Sequence, residues 1–465
     1  MTDAVAPTSS WRDLVAEGRG AQVALIALGV WLNAADSLVT STIMPTVSRD
    51  LGGYAYFSWA TAAYMVGAIL SGATAARFSG RFGLRRAMIA AGAVTAIGCA
   101  VSAVAPGMIQ LVVGRWVQGL GAGWIVGACY AAIGAMFPAR HLARIFGVMT
   151  SIWGVATVLG PLVGAAFAEG HQWRTLFWFF GVQCLAFMVA ARWLLPRDGP
   201  STDHPTPWAQ LGLVLAGVGL IGAADLTTSV VAAGGLCLVS LGFFIAAARL
   251  KAGEHGLFPA QAGDLTSVIG MAYLAYFALT AAAMCFSVYA PALLQKLYGL
   301  SPMAAGYAAG LEAVGWTVAA LGVSHLSERW HPPIIRAGGV AIVVSLAALT
   351  LAMRWGPLWA ILAASTLLGA GFGLTSGFTS RRVIFAASEA EREVASAGIN
   401  SVRQVGNAAG ACLAGIIANL LGMAAGVTLP AAQASAVWLF ALSTPVALVG
   451  AVACWIVASA PLDEA

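Results

Sequence analysis

Apolar runs separated by short polar turns dominate this chain from residue 21 onward. Crossing the hydrocarbon core of a bilayer as an α-helix takes about 20 mainly apolar residues. Fourteen stretches fit that pattern: 21–45, 56–76, 88–105, 110–132, 145–167, 175–195, 208–224, 230–249, 265–291, 303–325, 336–353, 357–380, 394–421 and 433–457. They predict an all-α membrane protein with fourteen spans. The longest polar connection, Pro196 to Pro207, is rich in proline and closes the first six spans. The expected order is a cytoplasmic segment (1–20), a six-helix bundle (21–195), a cytoplasmic linker (196–207), a two-helix insert (208–249) and a second six-helix bundle (265–457).

Charge sets the orientation. Seventeen Lys and Arg residues near predicted span ends fall on the side of the N-terminus, among them Arg12, Arg77, Arg81, Arg85, Arg86, Arg140, Arg197, Lys251, Arg381 and Arg382. Only Arg49, Arg174, Lys296 and Arg354 lie opposite. Basic residues flanking spans stay in the cytoplasm, so both termini are expected there, in a multi-pass protein of the plasma or inner membrane. The formal charge of +5 then reports topology and requires no nucleic-acid partner. Composition agrees, with 60% hydrophobic and 9% charged residues, against about 25% charged in soluble domains. Residues 1–20 carry Asp3, Asp13 and Glu17 and lack the order of a secretory signal, so the first run is expected to remain as a span.

Seven cysteines sit singly in apolar runs without a CxxC and read as small buried hydrophobes, so neither disulfides nor a metal site is expected. There is no Gly-x-x-x-x-Gly-Lys-Ser/Thr motif, and the loops are too short for a soluble domain. No enzymatic chemistry and no cofactor are expected, which leaves an ion gradient as the energy source.

The few embedded polar residues are the candidates for chemistry. Asp36 lies deep in the first run, nine residues before Pro45. Insertion scales put a charged Asp there at about 2.5 to 3.5 kcal/mol unfavourable, and such residues usually face the bundle interior and handle ions, protons or polar ligands. Arg115 and Asp36 lie about one and a half and two and a half turns from the outer ends of their runs, at about 1.5 Å per residue, so the pair can share an outer-half cavity. The structural alternatives are an interhelical hydrogen-bonding Asp and a static ion pair. Glu312, between small residues and Trp316, is a candidate substrate-facing carboxylate or second proton site. Arg403 and Gln404 belong to a polar stripe in the thirteenth run, with Arg403 the expected charge partner of Glu312. Trp316, Phe286 and Tyr289 are candidates to stack on an apolar substrate, and core packing explains them equally well. Asp225 and Asp264 fall at run ends, where water is expected to reach them. An internal repeat pairs Ser79-Gly80-Arg81 after the second run with Ser327-Glu328-Arg329 after the tenth, and related halves around a midplane site are the plan of many carriers.

Four patterns carry a likeness. They are Asp36 followed by Pro45; Arg115-Trp-Val-Gln118-Gly119-Leu-Gly121-Ala-Gly123; Gly160-Pro161-Leu-Val-Gly164-Ala165 with Trp173-Arg174 and Phe177 after it; and the loop Ala76-Arg-Phe-Ser-Gly80-Arg81-Phe-Gly83-Leu-Arg85-Arg86. The chain resembles the major facilitator superfamily, specifically its fourteen-span drug:proton antiporter branch, over nearly all of its length. In that family the last loop carries Gly and Asp where Ala76 and Gly80 stand here, and its Asp helps latch the two bundles. Glu328 occupies the equivalent place in the second half and is expected to carry part of the latch.

The resemblance implies the major facilitator fold, two six-helix bundles plus two extra helices with both termini cytoplasmic, and a monomer that exports small lipophilic or cationic compounds against protons. In that reading Asp36 and Arg115 couple the proton, and Gln118, Glu312, Arg403, Trp316, Tyr289 and Phe286 are substrate candidates. Pro45, Gly119, Gly160, Pro161, Gly164, Arg81, Gly83, Arg85 and Glu328 serve conformational change. Desolvation favours the neutral acid at Asp36 while a nearby guanidinium favours the carboxylate, a balance that permits switching. A proton-coupled importer or exporter of one metabolite, and a non-transporting receptor or scaffold, stand as alternatives.

Overall fold

With no water in the bilayer core, every backbone polar group must be satisfied within the chain, which leaves helices as the economical solution for a sequence of long apolar runs. The computed structural model describes residues 19–170, 172–196, 206–250 and 256–460, except the side chains at 135, 139, 140, 142, 143, 150 and 390. Nearly all of the expected N-terminal segment, with Arg12, and most of the 196–207 linker, with Arg197, lie outside the described residues, as do Lys251 and the side chain of Arg140.

A long helix stands at each of the fourteen apolar runs. In chain order they are α1 (Gly20–Leu51), α2 (Trp59–Phe82), α3 (Leu84–Ala103), α4 (Met108–Met136), α5 (Ala139–Glu169), α6 (Trp173–Leu194), α7 (Trp208–Asp225), α8 (Val230–Arg249), α9 (Val268–Tyr298), α10 (Pro302–Val323), α11 (His331–Trp355), α12 (Leu358–Ala386), α13 (Arg392–Leu420) and α14 (Leu429–Ser459). Twelve are long and apolar enough to cross a membrane. The exceptions are α10 and α13, which carry Glu312 and the Asn400, Arg403, Gln404 and Asn407 stripe. Their length suffices; their polarity does not, because they spend polar residues on the protein interior. The first helix also departs from expectation by continuing past Pro45 to Leu51. A proline inside a helix removes only its own N–H bond and bends the helix there. Local chemistry sets the starts of α8, α9, α10 and α14, where Ser229, Ser267, Ser301 and Thr428 each accept the backbone N–H three residues on.

Helices α1 to α6 pack on one another, as do α9 to α14, with α7 and α8 paired beside them. The two halves repeat the same pairings: α2 with α4 and α3 with α4 in the first are matched by α10 with α12 and α11 with α12 in the second. Glycine makes the closest of these contacts. A Cβ on Gly119 would fall on the Tyr64 carbonyl of α2, and one on Gly369 would fall on the Glu312 carbonyl of α10. Small residues let spanning helices approach this closely.

The halves meet toward one end, where α1 finishes and α2 begins, called the outer end below. There Gly306 of α10 lies against Pro161 of α5 and Thr42 of α1, and Phe57 stacks on Tyr289 of α9 with ring centroids 5.1 Å apart. Asn419 of α13 donates to the Ala55 carbonyl at 2.9 Å. At the other end Tyr130 of α4, Val318 and Leu321 of α10 are exposed.

Gly119→Val is expected to overpack the α2 to α4 contact at a cost of about 1 to 3 kcal/mol. A thermal unfolding series by size-exclusion in detergent checks this, and an unchanged midpoint would contradict the close contact.

Candidate functional site

Within the first half, α1 and α4 turn their charged residues toward each other. Arg115 Nη1 donates to both Asp36 oxygens, at 2.8 and 2.6 Å, and to Gln118 Oε1 at 2.8 Å, while Nε donates to the Ala60 carbonyl of α2 at 3.2 Å. The guanidinium lies over the Tyr64 ring, 4.4 Å from its centroid, and the Tyr64 hydroxyl donates to Asn33 Oδ1 at 2.8 Å. Both ions are nearly closed off, with 6% of Asp36 and 2% of Arg115 exposed. A cavity of about 10 Å³ adjoins them, lined by Asn33, Asp36, Tyr64, Thr95, Gln118 and their neighbours, which is room for about one water. The depth match seen in the sequence is thus a direct contact. Asn33 was legible in principle, being three residues from Asp36 on the same helix face; Tyr64 comes from another helix and leaves no linear signal. Gln118 serves the pair, binding Arg115 and donating to Cys99 Sγ at 3.1 Å.

The second half arranges its charges differently from expectation. Glu312 accepts from Ser287 of α9 at 3.1 Å and makes no ion pair with Arg403. Arg403 instead lies over the Trp316 ring at 4.9 Å, and that ring stacks on Phe372 at 5.1 Å. The reason is one of geometry: Glu312 of α10 is engaged by Ser287 of α9, while Trp316, one turn further along α10, is the group that meets Arg403 of α13. Phe286 and Tyr289 are fully buried, Phe286 against Phe440 and Tyr289 against Phe57, so both pack the core in this conformation.

Among the conformational candidates, Gly160 and Gly164 seat α5 on α1: an added Cβ would stand 2.9 Å from Leu38 Cβ and from Thr42 Cβ respectively. Between them Pro161 faces Gly306 and Gly310 across the two halves. Trp173 Nε1 donates to Asp50 Oδ2 at 2.9 Å, tying α6 to the end of α1. Gly83 links α2 to α3 at φ +80°, a conformation that L side chains rarely adopt. Arg81 lies over the Phe82 ring, and Arg85 opens α3. Glu328 does not reach across as a latch here. It pairs with Arg381 at the end of α12, in its own half, because the short turn holding it is fixed beside that helix end. Asp264 keeps its expected exposed place before α9, where the hydroxyl and N–H of Thr266 hold its carboxyl below the usual carboxylate range. Asp225 does not: it is 1% exposed.

The arrangement of two repeated helical halves about buried charges has relatives. The family model of the Major Facilitator Superfamily matches residues 26–411. The chain belongs to that superfamily. A Mycobacterium tuberculosis protein named a probable multidrug-efflux transporter is 32% identical to it over 437 residues, covering 90% of this chain and 92% of the relative. Crystal structures of a D-xylose–proton symporter and of a bacterial homologue of the lysosomal transporter Spinster share the fold, each with a TM-score of 0.68 over 94% of this chain and 97% and 96% of theirs, at 16% and 12% identity. This protein is therefore a multi-pass secondary transporter of the major facilitator superfamily, and the receptor or scaffold alternative gives way to that membership.

Removing one member of a buried ion pair costs about 3 to 5 kcal/mol because the other charge is left uncompensated. Asp36→Asn, which strands a guanidinium that stays protonated, is expected to fold but to have a thermal midpoint below that of the double variant Asp36→Asn/Arg115→Met. Equal midpoints would show that the two side chains do not share an ionic contact.

Proposed function

We propose that this transporter is a proton-coupled exporter of small lipophilic or cationic compounds, in which fourteen spans, with both termini cytoplasmic, form a first bundle (21–195), a linker (196–207), a two-helix insert (208–249) and a second bundle (265–457). The observation that carries the reading is the Asp36 to Arg115 contact. Arginine stays protonated in proteins, so the carboxyl is the member of the pair that can gain and lose a proton. When it gains one, the guanidinium loses its counter-charge inside a closed site, and the bundle is driven toward an arrangement that relieves it. The 32% identical relative named for multidrug efflux supports export.

With the excess of basic residues placed in the cytoplasm, the end where the halves meet faces outward and the end at Tyr130 faces inward. Glu312 and Trp316 supply an acid and an aromatic face for a lipophilic cation. Pro161 and the glycines beside it form the contact with α10 that must part for the outer end to open. The protein is taken to act as a monomer, without a cofactor, in the cell membrane. A carrier of one metabolite is the second reading, favoured by Arg403, which has no carboxylate partner among the described residues and suits an anionic group.

In proteoliposomes with an imposed pH gradient, a fluorescent lipophilic cation should move against the proton flux, and Asp36→Asn should reduce that movement at least about tenfold with folding and insertion intact. Export by Asp36→Asn at the wild-type rate would refute the coupling role, and movement with the protons would favour an importer. Glu312→Gln should raise the KM for a cationic substrate while leaving proton-driven transport of a neutral one unchanged.

A further inference from the structure

The insert contributes a second buried carboxyl, and it sits where the halves meet. Asp225 is the last residue of α7 and is 1% exposed. Its Oδ2 accepts from Ser58 Oγ of the first half at 2.5 Å, and its Oδ1 accepts from Asn419 Nδ2 of the second half at 2.9 Å. Space for the carboxyl exists because Gly415 of α13 has no side chain: a Cβ there would run into both the carboxylate and Ser58. The titratable groups that face it are Tyr289 of α9 and Cys412 of α13, and the start of α2 brings Ser58 and Trp59 against it. Among the described residues no cation pairs with it.

Asp36 and Asp225 are buried to a similar degree, but only Asp36 has a guanidinium. A buried carboxylate without a counter-charge is costly, and taking up a proton is the usual relief. The joint accommodates that proton. The contact with Ser58 survives with the donor and acceptor roles reversed, and Asn419 Oδ1 is a buried acceptor that has no donor.

We propose that Asp225 is a second proton-binding site, which must be protonated for the outer end to close. Closing brings Ser58, Asp225 and Asn419 together and removes water, whereas opening separates the first half from the second and lets the carboxyl ionise in contact with the exterior. The proton enters and leaves on the outer side, so Asp225 reads external pH and biases the gate, without joining the transport stoichiometry of Asp36. The idea rests on the alternating-access reading above.

The test is the distance between nitroxides at Glu169→Cys, on the outer end of α5, and Lys296→Cys, on the outer end of α9, in a Cys237→Ser background, measured by pulsed EPR in nanodiscs from about pH 5 to about pH 9. One proton per closure lets the closed-to-open ratio fall by up to about tenfold per pH unit. Asp225→Asn, a neutral isostere, should flatten the dependence to what Asp36 alone contributes, while Asp36→Asn should still titrate. If Asp225→Asn titrates like the parent, the proposal is overturned. If titration is lost in Asp36→Asn and kept in Asp225→Asn, the gate reads Asp36, and proton coupling stands without this site. If the distance is the same at every pH and with substrate, the alternating-access reading fails as well. Should Asp225→Asn not fold, Ser58→Ala keeps the carboxyl and removes one partner: a displaced midpoint supports the assignment, and an unmoved one overturns it.

Discussion

A guanidinium that cannot shed its proton, placed in an environment that cannot hydrate it, must be met by the protein on every side. Arg115 meets that demand with the Asp36 carboxylate, the Gln118 amide oxygen, the Ala60 carbonyl and the Tyr64 ring. These partners come from α1, α2 and α4, so one fixed charge aligns three helices of the first half. In the proposed coupling, the carboxyl is the point at which a proton alters the balance of forces.

The rest of the first half is built so that such a change can be felt at a distance. Contacts between α2 and α4, and between α1 and α5, run through glycine, leaving backbone against backbone with little side-chain padding. Packed interiors of this density shift as units rather than deform. Pro161 lies on the surface that α5 shares with α1 and α10, so a movement of α1 carrying Asp36 is mechanically continuous with the contact between the halves. The second half repeats the pairings and places its own acid, Glu312, on the helix that meets Pro161.

The insert is more than two helices added at the edge. Phe244 of α8 packs on Phe277 of α9, and at the outer joint the final residue of α7 bonds to both halves. Asp36 faces a cation and Asp225 faces neutral partners, so two similarly buried acids stand in opposite environments.

The sequence by itself determined a long helix at each of its fourteen apolar runs and singled out Asp36 and Arg115, because lipid enforces long apolar runs and makes each embedded charge conspicuous. It also carried the family likeness through Arg115 to Gly123 and Gly160 to Gly164. Tertiary structure alone decided which charges meet. Glu312 and Arg403 share type and depth yet face different neighbours, Glu328 pairs within its own half, and Asp225, at a helix end that suggested water, is covered by Ser58 and Asn419 from helices far away in the chain. Depth along a helix can be counted from residue numbers, but the rotation of each helix about its axis is set by packing among all of its neighbours, and that rotation selects the partner.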